Sequence, residues 1–104
     1  MSNINLIDSF QEFKDFKKDP FFMAGLSLYW ASGSKKGDHF QFSSSDKKMI
    51  AFMVLWIKKY LAIPNDLIKE RVYGGYLRIV ITRIDILRKI MAWQKLLVKY
   101  YDNV

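Results

Sequence analysis

A chain of 104 residues with 51% hydrophobic and 16% aromatic content has room for one core and is too apolar to be a disordered segment. Its formal net charge of +7 and isoelectric point near 9.7 favour acidic partners, nucleic acid before an anionic membrane surface. With no cysteine, disulfides, thiol nucleophiles and cysteine-ligated zinc are excluded, and the composition suits an intracellular, cytoplasmic or nucleoid-associated setting. The opening MSNINLIDSF lacks the basic start and apolar core of a signal peptide. The longest apolar run, Met49 to Ile57, is bracketed by lysine pairs and is too short to span a bilayer. It reads as a buried helix, and no membrane partner is expected.

In chain order, Ser9 and Glu12 form a capping-box pattern ahead of a short helix carrying Phe10, Phe13 and Phe16 or Lys17. Residues 1–18 therefore read as a brace on a core spanning 19–104, the whole forming a single domain. Asp19-Pro20 is an N-cap followed by proline at the first helical position, and Gly33 is a natural stop, which predicts a helix over 20–32. That helix carries no charge and should be buried on most sides. Ala24 and Ala31 are seven apart, as are Gly25 and Ser32, so small residues line neighbouring stripes where a second helix can approach closely.

Residues 34–38 read as a turn. His39 to Ser44 alternates, with Phe40 and Phe42 on one face and His39, Gln41 and Ser43 on the other, as in a half-buried strand. Ser45 or Asp46 caps a helix running to about Ala62, before Pro64. Residues 68–73 and 76–82 are two strands joined by Gly74-Gly75, a two-residue hairpin turn needing positive φ. Leu77, Ile79 and Ile81 should point one way, and Tyr76, Arg78, Val80 and Thr82 the other. Thr82 and Asp85 suggest a second capping box, opening a helix to about Tyr100 that packs Leu87, Ile90, Met91, Leu97 and Val98. The expected fold is α+β, with about three antiparallel strands and helices on one face.

Several stretches carry a family resemblance. Met23-Ala24-Gly25-Leu26 with Ser32-Gly33 resembles the signature helix of LAGLIDADG homing endonucleases. The match is closer to a bacterial and viral group with the pattern A-G-x-x-L-Y-W-[GA]-E-G-[ST]-K, which Ala24-Gly25, Leu28-Tyr29-Trp30-Ala31, Gly33-Ser34 and Lys35 follow. Phe42 and Ser45-Asp46 are similar to that group's next block. The resemblance covers Asp19 onward and implies a LAGLIDADG-like domain whose sheet is a DNA-contacting saddle. A single motif copy implies a homodimer through Ala24, Gly25, Leu28, Ala31 and Ser32. Two departures stand out. The group usually has a longer connection where Gly74-Gly75 stands, and Ser32 occupies the family's metal-binding acidic position. Mg²⁺ takes hard oxygen ligands, usually carboxylates, so the expectation is a degenerate site with no cofactor.

The expected DNA-binding residues are Lys35, Lys36, His39, Gln41, Ser43, Lys69, Arg71, Tyr73, Tyr76 and Arg78. Arginine, lysine and glutamine on a sheet reach base edges, and lysines at a rim meet phosphates. Any antiparallel sheet also has a wet face, on which such residues serve solubility alone. His39, the only histidine, reads as a surface residue rather than a base. Trp30, Trp56 and Trp93 read as core or interface. The leading expectation is a double-stranded-DNA-binding homodimer without catalytic residues or a small-molecule substrate. The alternatives are a Mg²⁺-dependent endonuclease with Asp38 as a displaced acid, and a non-enzymatic interaction module.

Overall fold

A computed structural model describes residues 6–33 and 39–102. Their order is α1 (Leu6–Phe16), α2 (Pro20–Ser32), β1 (Phe40–Ser44), α3 (Lys47–Leu61), a 3-10 turn (Asn65–Leu67), β2 (Lys69–Tyr73), β3 (Tyr76–Ile81) and α4 (Ile84–Asp102). The strands form one antiparallel sheet in the order β1-β3-β2. Helices α2, α3 and α4 cover one face of β1 and β3, and α1 lies against α4. This is the α+β arrangement expected, because the alternating strands leave one greasy face that only helices cover.

Helix α2 begins as the Asp19-Pro20 pair dictates: the Asp19 carboxylate accepts from the Phe21 amide at 3.0 Å, and Pro20 fills the first helical position. It ends at Gly33, but not through a left-handed glycine. Gly33 is extended (φ −78, ψ 150), donates to the Tyr29 carbonyl at 2.7 Å and bridges to Phe42 of β1. Glycine is needed there for room, since a Cβ would come within 2.1 Å of the Tyr29 ring. The left-handed cap is instead Ala62 after α3 (φ 53). Helix α3 is capped by Asp46, which accepts from the Lys48 amide at 2.9 Å.

Both capping boxes expected from sequence are absent. Helix α1 is already running at Ser9, which is buried at 1% exposure, and Glu12 instead pairs with Lys89 of α4 at 3.0 Å. Helix α4 starts at Ile84, too late for Thr82 to cap it, and Arg83 pairs with Asp85. Phe10 also leaves the brace's inner edge, at 53% exposure. Phe13 and Phe16 take that role, touching Phe22 at ring distances of 6.1 and 5.2 Å.

Phe22 is the aromatic hub. It stacks on Trp56 (5.8 Å, 24°) and meets Trp93 and Tyr60 edge-on at 5.1 and 4.9 Å. Trp56 and Trp93 are fully buried, as expected, whereas Trp30 is 42% exposed. The Trp56 indole lies directly on Gly25: a Cβ at that position would fall 2.2 Å from Cδ1. Its Nε1 donates to the Phe22 carbonyl at 3.0 Å. Helix α2 is thus buried on one side only, through Phe22, Gly25, Leu26 and Tyr29. Ala24, Ser27, Ala31 and Ser32 are exposed, so within a single chain the burial expected on most sides is met on one side only. The inward residues join the core, while small residues and the 42% exposed Trp30 face water.

Gly25→Ala drives a methyl group into a rigid indole and is expected to destabilise the fold by about 1–3 kcal/mol, although alanine is the better helix former by about 1 kcal/mol. In a Trp56→Leu background the same substitution should cost at least about 1 kcal/mol less, read as the coupling in a double-mutant cycle by urea denaturation. Additive costs contradict the contact.

Asp19 also joins α2 to α3, because the Tyr60 hydroxyl donates to its Oδ2 and Lys59 lies 3.7 Å away. The hydrogen bond from Tyr60, then the Phe21 amide and Lys59, hold the Asp19 carboxyl below its ordinary value. Burial, and then Asp19, push the Tyr60 hydroxyl up. A lowered carboxyl stabilises the fold above its unfolded titration range and loses that contribution as pH falls through the folded value. Asp19→Asn is therefore expected to be less stable at neutral pH, with the gap closing below about pH 4. Urea denaturation at both pH values checks this, and a constant gap contradicts it.

Candidate nucleic-acid interface

The register decides which side chains share the open face. Gln41 lies opposite Val80 and Ser43 opposite Arg78. Across the other ladder Lys69 faces Val80, Arg71 faces Arg78, and Tyr73 faces Tyr76. Because side chains alternate along each strand, Gln41, Ser43, Lys69, Arg71, Tyr73, Tyr76 and Arg78 all lie on one face. Phe40, Phe42, Ile79 and Ile81, all fully buried, lie on the helix side. His39, just before β1, is joined to Gln41 by a 2.6 Å contact between Nε2 atoms.

The face is not uniformly polar. Val80 belongs to it and is buried at 6% exposure, so the polar surface concentrates toward the hairpin end. The helices cover β1 and β3 but leave β2 exposed along its whole length. Val72 is therefore 80% exposed although it points to the helix side. The acidic Glu70 shares that side with Val72, so the open face of β2 carries Lys69 and Arg71 without an intervening acid.

Arg78 organises the hairpin end. Its Nε donates to Ser43 Oγ at 3.0 Å, and its guanidinium lies over the rings of Tyr73 and Tyr76 at 4.8 and 5.9 Å. Those rings stack on each other at 5.0 Å and 16°. With Nε engaged, the terminal nitrogens have no hydrogen-bond partner among the described residues and remain available to an acceptor. Arg71 stands directly across from Arg78. Like charges in facing positions oppose each other, and an anion laid between them would relieve that repulsion. Ser43, Gly74, Gly75, Tyr76 and Arg78 border a shallow groove beside this pair. The stacked tyrosine clamp is the feature sequence reading missed. A two-residue turn at Gly74-Gly75 makes Tyr73 and Tyr76 neighbours, which was the available signal.

The expected dimer face divides. Gly25 is turned inward beneath Trp56, so it is not available to a second chain. Ala24, Ala31 and Ser32 are exposed, and Leu28 is half-buried. Ala24, Ser27 and Leu28 form one wall of a shallow apolar groove, with Met49 and Phe52 of α3 opposite.

Lys35, Lys36 and Asp38 lie outside the described residues. Ser32 ends α2 with a neutral hydroxyl, and the carboxylate that caps the helix, Asp19, stands at its opposite end. Among the described residues no cluster of histidine, aspartate or glutamate could hold a metal ion. Among the described residues, the donors at the end of α2 do not suit Mg²⁺, which takes hard oxygen ligands, usually carboxylates. Among those residues, no helix is long and apolar enough to cross a membrane.

Comparison of the chain with protein-family models, with curated proteins and with solved structures returned no match.

Gly75 alone of the turn pair has positive φ, at +95, and a Cβ on Gly74 would meet no atom within 4 Å. Gly75→Ala is therefore expected to destabilise the domain by about 1–2 kcal/mol, whereas Gly74→Ala stays within about 0.5 kcal/mol. Thermal denaturation distinguishes them, and equal effects contradict this turn geometry.

Proposed function

We propose that this chain is a double-stranded-DNA-binding protein of LAGLIDADG-like type, catalytically degenerate and acting as a homodimer. The observation that carries the reading is the gathering of Lys69, Arg71 and Arg78 on one open sheet face, beside the hydrogen-bonding groups of Gln41 and Ser43. In this reading Lys69 and Arg71 meet phosphates, and Arg78, held by Ser43 and the tyrosines, presents its terminal nitrogens to a base edge or a phosphate. The motif resemblance of Ala24-Gly25 and Leu28-Tyr29-Trp30-Ala31 supports the family assignment. The exposed Ala24 and Ala31, with the half-buried Leu28 beside them, support a dimer through the outer side of α2, with Gly25 serving the core instead. Ser32 argues against cleavage, and an endonuclease using Asp38 is the weaker form of the same reading. A protein-interaction module is the second reading, favoured by the uncharged outer side of α2.

Binding to mixed-sequence duplex DNA from about 50 to 200 mM salt, with mass measured in the same buffers, tests this. The affinity is expected to fall steeply with salt, because neutralised phosphates release counterions. The mass is expected to be twice the 12.3 kDa of the chain. Arg71→Ala should flatten the logarithmic salt slope by about two, one for each copy in the dimer. A protein that binds no duplex at low salt, or whose slope is unchanged by the substitution, contradicts the DNA-binding reading and favours the interaction module.

A further inference from the structure

A second site lies between α1 and α4. Phe10 at 53% exposure and Tyr100 at 45% stand at its rim, and Phe13, at 5%, is its buried floor. Phe13 and Tyr100 meet edge-on at 6.4 Å. Leu96, Lys14, Lys17 and Lys99 complete the lining of an open cleft of about 230 Å³. It pairs an apolar lining with a few placed polar groups, as small-molecule sites do, and is small enough that only part of a ligand would be enclosed.

Three ammonium groups, from α4 and around the end of α1, meet at this cleft. Lys89 and Lys59 are matched to Glu12 and Asp19. Lys14, Lys17 and Lys99 have no carboxylate partner among the described residues, and Lys17 rests its ammonium over the Tyr100 ring at 5.1 Å. Lysines in the last turn of a helix complement its dipole, which accounts for Lys14 and Lys99 one at a time. It does not account for their convergence around two exposed aromatic rings. Unmatched ammonium groups around an aromatic floor complement a ligand with an anionic head and an apolar body.

We infer that the α1–α4 cleft binds a soluble anionic amphiphile of the fatty-acid class, its chain on Phe10, Phe13 and Tyr100 and its carboxylate among Lys14, Lys17 and Lys99. This site is separate from the open sheet face and does not depend on the DNA-binding reading.

Titration of the full chain with monomeric decanoate, followed by amide shifts in the NMR spectrum, tests the inference. Saturable binding is expected, with the largest shifts on α1 and α4 around the cleft. Decanol, which has the same chain without the charge, should bind at least about 10-fold more weakly, the ratio given by about 1.4 kcal/mol. The Lys14→Ala, Lys17→Ala, Lys99→Ala triple variant should lose a similar factor. Phe10→Asp changes a side chain already exposed, so the fold should survive while decanoate binding falls at least 10-fold, again a difference of about 1.4 kcal/mol. No saturation, equal affinity for decanol, or unchanged binding by the triple variant and by Phe10→Asp overturns the inference. So does binding only to phosphatidylglycerol vesicles or only to an acidic peptide, because each assigns the cleft to a different occupant.

Discussion

Helix α2 can lie against α3 only because residue 25 has no side chain. The Trp56 indole occupies the space a Cβ would need, stacks on Phe22 and donates to the Phe22 carbonyl. That contact fixes how close the two helices come, and rigid rings do not yield to small displacements as aliphatic chains do. Asp19 then clamps the other end of the pair by capping α2 and accepting from Tyr60 of α3. The far end of α2 is tied to the sheet by the bridge from Gly33 to Phe42, with Tyr29 stacked on Phe40 at 5.1 Å. Burial pushes the Tyr29 hydroxyl up to about 12, so this buried ring remains neutral through the physiological range.

Once α2, α3 and α4 cover one side of the sheet, the other side is committed to solvent, and the register decides what it presents. The hairpin turn makes Tyr73 and Tyr76 partners, and two residues further along the ladder it places Arg71 across from Arg78. The hydrophobic pattern that seats Ile79 and Ile81 in the core therefore also gathers the cations outside. A shift of register by one residue would exchange the two sets. Stability and the candidate interface share one constraint.

Much of this was legible in the sequence because it rests on local rules. The Asp19-Pro20 start, the Asp46 cap, the alternation of Phe40 with Phe42 and the Gly74-Gly75 turn each predict structure from neighbours alone. The failures are places where tertiary packing overrides a local signal. Ser9 and Glu12 have the spacing of a capping box, yet α1 starts earlier and Glu12 turns to Lys89. Gly25 reads as part of a stripe for a second chain, but this chain's own Trp56 fills the space. Val80 alternates like a wet residue and is buried. The restraint of Arg78 by Ser43 and two tyrosines joins three strands and depends on a register that no single segment specifies.

The open face and the outer side of α2 offer different chemistry, one cationic and aromatic, the other small and uncharged. The proposed function needs the first for DNA and the second for a partner copy, whereas an interaction module needs only the second. Mapping backbone amide shifts on addition of a short DNA duplex separates them most directly. The account predicts shifts clustered at Ser43, Arg71, Tyr73, Tyr76 and Arg78. Shifts confined to α2 and α3, or none at low salt, would contradict it.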